Sequence, residues 1–186
     1  VEVLIPDFSG ELEGVAKVVV AGPDVMAHNV ECVERLTGRV RDPRAGYQQS
    51  LDVLASVKRL APAMHTKSSI MVGLGETEDE VLQTMRDLRA VGCNFLTVGQ
   101  YLQPTKRHLP VTGFVEPAQF ERYRVLGLEM GFATVASGPL VRSSYKAGEF
   151  FIREYLNRQQ ALENPLEVDS RQLNLHNIAS SLEVPL

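Results

Sequence analysis

The chain has 186 residues, enough for one domain with a sizeable core, and its 44% hydrophobic and 23% charged content is ordinary for a globular protein. Its net charge of −4 argues against a general nucleic-acid binder, which needs a basic face. No apolar run approaches the roughly 20 residues that span a bilayer. Neither nucleic acid nor membrane is therefore expected as a partner.

The stretch "VEVLI" (1–5) reads as a strand that stops at Pro6. Val1 stands inside that strand, with no initiator Met and no signal-peptide pattern, so an N-terminal portion carrying any targeting segment is expected to precede it. Leu12, Val15, Ala16 and Val19 share one helical face that ends near Gly22. "DVMAHN" (24–29) is short and extended, "ECVERL" (31–36) allows a helical turn or two, and "VRDPRAGY" (40–47) is a loop by composition. Leu51, Leu54, Val57 and Leu60 then define a helix ending before Pro62. "TKSSIMVGLG" (66–75) has the apolar and β-branched content of a buried strand.

Thr77 and Glu80 form a capping-box signature, Val81, Met85, Leu88 and Val91 repeat at helical spacing, and Gly92 is placed to stop the helix. "NFLTVGQYL" (94–102) is the next strand, ended by Pro104. Pro117 opens a helix whose face carries Phe120, Tyr123 and Met130, with Gly131 as its stop. "FATVASGPLV" (132–141) is extended, 149–163 is helical in pattern, and the last 20 or so residues are mixed.

Strands alternating with helices imply βαβ units, hence an α/β fold with a parallel sheet. Right-handed crossovers put the loops that follow the strands on one face, so the polar clusters there are expected to converge. Those clusters are His28-Asn29 with Glu31, Thr66-Lys67-Ser68, Gly73-Leu74-Gly75-Glu76, Gly99-Gln100-Tyr101, Lys106-Arg107-His108 and Arg142-Ser143-Ser144-Tyr145. Lys67 is unusual inside a buried-strand pattern, because a buried ammonium needs a partner; the alternative is a strand-end lysine reaching solvent. Gly73-x-Gly75 lacks the third glycine of a dinucleotide fingerprint, since Glu78 stands there, so the pair either brings backbone close to a ligand or serves a tight turn. His28, taken alone, reads as a satisfied core histidine. Cys32 and Cys93, far apart and in no metal-ligand or disulfide pattern, read as buried thiols. On residues alone the reaction stays unnamed.

Taken together, "VEVLIPDF", "PDVMAHNVECV", "VRDPRAGYQQSL", "TKSSIMVGLGET", "LTVGQYLQPTKRHLPV" and "ASGPLVRSSYKAGEFF" resemble the lipoyl synthases, radical S-adenosylmethionine enzymes, in order across about residues 1–151. The resemblance implies the C-terminal part of a partial (β/α)6 TIM-like barrel over 1–131, a C-terminal extension with the R-S-S-Y motif over 132–151, and a divergent tail over 152–186. It implies insertion of two sulfur atoms at C6 and C8 of a protein-bound octanoyl-lysine, using two four-iron, four-sulfur clusters and S-adenosylmethionine cleaved to a 5′-deoxyadenosyl radical. Partners implied are octanoylated acceptor proteins (the glycine cleavage H protein and E2 subunits of 2-oxoacid dehydrogenases) and a reductant such as ferredoxin.

By the same resemblance, Ser143 or Ser144 is the serine ligand of the auxiliary cluster and Arg142 holds the site's anionic charge. Asn29, Glu31, Lys67, Ser68, Gly73, Gly75, Gln100 and Tyr101 border the adenosylmethionine pocket. The family's two cysteine motifs are not in this sequence, so the polypeptide alone is expected to be inactive. The form of "RSSYKAGEFF" is closer to organellar enzymes, which implies a mitochondrion or plastid. Two other readings stay open: a non-catalytic isoform that binds the octanoylated acceptor, and an unrelated barrel enzyme for an anionic small molecule.

Overall fold

A computed structural model describes residues 1–143; Ser144, Tyr145, the helical pattern over 149–163 and the tail 152–186 lie outside the described residues. Five strands form one sheet: β1 (Glu2–Leu4), β2 (Val25–Ala27), β3 (His65–Val72), β4 (Phe95–Gln100) and β5 (Thr134–Gly138). They lie in the order β1-β2-β3-β4-β5 and every pair is parallel, as the alternating pattern predicts. Parallel neighbours require crossovers, and helices supply them: α1 (Leu12–Val20), α2 (Thr37–Val40), α3 (Tyr47–Leu60), α4 (Glu78–Ala90) and α5 (Pro117–Glu129).

Local chemistry sets the helix ends. The Thr77 hydroxyl accepts from the Glu80 amide while the Glu80 carboxylate accepts from the Thr77 amide, so two orphan donors of α4 are satisfied. Gly92 and Gly131 follow α4 and α5 at φ 78° and 89°, where a side chain would be strained.

Strand alternation splits the sheet into two faces. Ile70, Val72, Leu96, Val98 and Val135 join Leu54, Val81, Met85, Leu88, Phe120 and Tyr123 in the main core. Ile5, Val15, Met26, Val53 and Val57 form a smaller one beneath α1 and α3. The alternate positions carry Ala27, Lys67, Ser69, Thr97 and Gly99, small or polar yet buried. Both cysteines belong to the main core, as expected of thiols outside any ligand pattern. Burial pushes the Cys32 thiol up to about 11 and the Cys93 thiol up to about 12, so both stay protonated and inert at neutral pH.

α5 seats against the sheet through Gly127, where an added Cβ would stand 2.7 Å from Val135 Cγ2 and 2.8 Å from Met85 Cε. Gly127→Val is expected to lower the unfolding free energy by about 1–3 kcal/mol, read from the urea midpoint followed by circular dichroism. An unchanged midpoint would mean that α5 does not press on β5 in this way.

Candidate functional site at the C-terminal ends of the strands

A cavity of about 610 Å³ opens where β3, β4 and the segment after β5 end. Its floor comes from Ser69, Met71 and Gly99 on the polar face of the sheet, and its walls include Glu31, Gln100, Tyr101, Arg142 and Ser143. Arg39 of α2 and Arg107-His108 of the loop after β4 complete the rim. Eight residues of the polar clusters singled out from sequence are thus brought to one place: Glu31, Gly99, Gln100, Tyr101, Arg107, His108, Arg142 and Ser143.

Glu31 stands there at φ 67°, a conformation that costs a non-glycine residue energy and is sustained by its surroundings. Its amide donates to the Ser69 carbonyl (3.0 Å) and its carbonyl accepts from the Met71 amide (2.8 Å), a one-residue bridge onto β3. Asn29, buried, donates from Nδ2 to the Glu31 carboxylate at 3.2 Å. Asn29 therefore reaches the cavity through Glu31.

Gln100 uses its side chain on its own chain. Nε2 donates to the carbonyls of Tyr101 (3.0 Å) and Gly113 (3.1 Å), and Oε1 accepts from the Val115 amide (2.9 Å). The Tyr101 hydroxyl donates to the Leu109 carbonyl at 2.9 Å. Both residues tie the long loop after β4 across the strand ends. Arg142 donates from Nη1 to the carbonyls of Val141 (2.8 Å) and Gln100 (3.3 Å), which fastens the turn after β5 to the end of β4.

The other sequence-selected residues sit elsewhere. The Ser68 hydroxyl accepts from the Val30 amide at 3.2 Å, away from the cavity lining. At Gly73 (φ 100°) a Cβ would meet the Gln100 amide nitrogen and, at 2.5 Å, the Gly113 carbonyl; at Gly75 (φ 99°) it would meet Thr112 at 3.5 Å. The groups that come close are the chain's own: the Gly113 backbone at Gly73 and the Thr112 side chain at Gly75. Lys67 does not reach solvent: it is 3% exposed, and Nζ donates to Glu2 Oε1 (2.7 Å), Glu2 Oε2 (3.0 Å) and the Ser143 carbonyl (3.0 Å). Sequence reasoning passed over Arg39 and Ser69. For Ser69 the signal existed, because strand alternation sets it on the Lys67 face and Ser68 on the other.

His28 proves to be a satisfied core histidine, with Nδ1 2.9 Å from the Ile5 carbonyl and Nε2 3.0 Å from the Ser50 hydroxyl. Burial holds its imidazole below the ordinary 6.5, against the pull of the Ile5 carbonyl, and the Arg41 charge lowers it further. The unfolded chain therefore takes up this proton first, and stability falls as pH drops below 6.5 toward the depressed folded value. The urea midpoint of the wild-type chain is expected to fall between pH 7.5 and 5.5, and His28→Gln to be less stable at pH 7.5 but flatter over that range. His65, also lowered by burial, keeps its own slope in both proteins.

A sequential parallel α/β sheet with a polar cavity at the C-terminal strand ends is the framework of an α/β enzyme domain. No family model matches the chain. Among curated proteins, the chain is 57% identical to the mitochondrial lipoyl synthase of Branchiostoma floridae over 92% of its own length and 46% of that protein. It is 60% identical to the chloroplastic lipoyl synthase of Chlamydomonas reinhardtii (87% and 37%) and 57% identical to the lipoyl synthase of Thermus thermophilus (82% and 47%). The chain belongs to the lipoyl synthase family, and so to the radical S-adenosylmethionine enzymes. It spans about half the length of the curated relatives it matches.

Proposed function

We propose that the chain is the C-terminal portion of an enzyme that inserts two sulfur atoms at C6 and C8 of a protein-bound octanoyl-lysine. One observation carries the reading: Ser143, the first hydroxyl of the R-S-S-Y string, stands in the wall of the same cavity as Glu31, Gln100, Tyr101 and Arg142. The sequential parallel order and the polar second face suit a segment of a (β/α)6 barrel whose interior is that face.

The residues present fit the groups the family implies. The cavity volume lies in the range that takes a nucleoside-sized molecule. Its wall pairs a carboxylate, Glu31, with the guanidiniums of Arg39 and Arg107, which suits a ligand bearing both an ammonium and a carboxylate. The Thr97 hydroxyl, register partner of Ser69, is buried without a partner and is free to bond a group held in the interior. For a cluster the chain offers an oxygen ligand at Ser143 or Ser144. Neither cysteine lines the cavity, and among the described residues no group of three or more His, Cys, Asp or Glu could hold a metal ion.

When bound, adenosylmethionine and the two clusters supply the radical and the sulfur. This chain's residues bind and orient: Asn29 fixes the Glu31 carboxylate, Gln100 and Tyr101 hold the loop after β4 over the strand ends, and Arg142 anchors the serine turn. A serine oxygen is a harder, less covalent iron ligand than thiolate, which suits a cluster that gives up sulfur. Octanoylated acceptor proteins and a reductant such as ferredoxin are the partners of this reading. Its compartment is a mitochondrion or plastid, the compartments named for the Branchiostoma and Chlamydomonas relatives.

Residues 1–186 reconstituted with iron and sulfide are expected to give no lipoyl product above background from an octanoylated acceptor. Fused to the N-terminal half of the Thermus thermophilus relative, they are expected to give it. Product from the isolated chain would overturn the dependence on upstream ligands. A fused protein that holds both clusters yet makes no product would favour a binding module for the octanoylated acceptor.

A further inference from the structure

We infer that Lys67 is a positioning residue that holds Ser143 in the cavity wall by gripping its carbonyl; the inference rests on the serine-ligand reading above. An ammonium has three N–H donors. Those of Lys67 meet three acceptor atoms: both carboxylate oxygens of Glu2 on β1, at 2.7 and 3.0 Å, and the Ser143 carbonyl after β5, at 3.0 Å. Lys67 lies on the central strand β3, so one side chain ties both edges of the described sheet to its middle.

The register makes this reach possible. Lys67 pairs with Ala27 of β2 and Glu2 with Val25, so both side chains stand on the same face with only the small Ala27 and Val25 positions between them. On the other side, the turn after β5 comes down onto β4: the Val141 carbonyl lies where a Cβ of Gly99 would stand, and Arg142 grips the Gln100 carbonyl. The turn is thereby held in height by Gly99 and Arg142, and in rotation by Lys67.

The carbonyl that Lys67 binds is that of Ser143 itself. A planar peptide cannot turn about its own bond, so holding this oxygen restrains rotation at the Ser143 Cα–C bond. One hydrogen bond therefore fixes the C-terminal side of Ser143, and with it the place of this residue in the cavity wall. The ammonium of this pair is buried while Glu2 keeps part of its surface in solvent, and an apolar side chain of similar volume at position 67 would avoid the cost of desolvating that charge. What such a side chain lacks is a donor for the Ser143 carbonyl.

The test compares Lys67→Met, which keeps length and removes the donors, with the wild-type chain. Amide exchange is measured on the 186-residue chain, and Mössbauer spectra on its fusion to the cysteine-bearing half of the Thermus relative. In Lys67→Met the Val141 amide, which donates to the Gly138 carbonyl in the same turn, is expected to exchange about tenfold faster while β3 and β4 keep their protection. The serine-held cluster signal is expected to be lost and the other cluster retained, which a general loss of stability would not produce. Unchanged exchange in that turn overturns the inference. Faster exchange with both clusters intact leaves the strut standing and overturns the serine-ligand reading beneath it. If Lys67→Met alone does not fold, the Lys67→Met/Glu2→Met double variant, which strands no charge and still lacks the donor, takes its place, and unchanged exchange there overturns the inference.

Discussion

The described fold is organised around one buried cation. Removing an ammonium from water costs on the order of several kcal/mol, and that cost is tolerated only where opposite charge and hydrogen-bond acceptors are waiting. Lys67 finds them on β1 and beyond β5, so its placement on the central strand β3 dictates what both edges of the described sheet must supply. The polar face of the sheet follows from it. Ala27 is small enough for the side chain to pass, and Gly99 lets the next turn close over the strand.

The opposite face answers to a simpler rule. Apolar residues at strand spacing meet apolar residues at helical spacing, and the main core forms between them. That half of the molecule was legible from sequence because each element carries its own signal. Thr77 and Glu80 are three residues apart and cap α4 reciprocally; Gly92 and Gly131 end helices in the conformation glycine tolerates; Pro117 opens α5 where its missing N–H is harmless. Even the two cysteines, without a ligand pattern, declared themselves as core.

The cavity was legible only as a set of neighbours. Convergence of Glu31, Gln100, Tyr101, Arg142 and Ser143 follows from parallel topology, since loops after the strands share one side. What each side chain does there depends on distances between residues far apart in sequence. Nothing local says that the Gln100 amide holds residues 113–115, that Glu31 adopts a positive φ to bridge onto β3, or that Gly73 makes room for Gly113. The partner of Lys67 was invisible for the same reason: Glu2 is 65 residues away. Ser68 and Ser69 show how narrow the margin is, because a shift of one residue along a strand exchanges a structural clip for a cavity floor.

Kinship with proteins about twice as long gives the serine turn its meaning in this account. A hydroxyl at a cavity wall, without a thiol beside it, is chemically incomplete as a cluster site, and the proposed function assigns the remaining ligands to chain that these 186 residues do not contain. The most direct measurement is the iron content and Mössbauer spectrum of the fused protein with Ser143→Ala and Ser144→Ala together. The account predicts loss of about half the iron and of all lipoyl product, with adenosylmethionine still cleaved. Full iron and undiminished product in that double variant would contradict it.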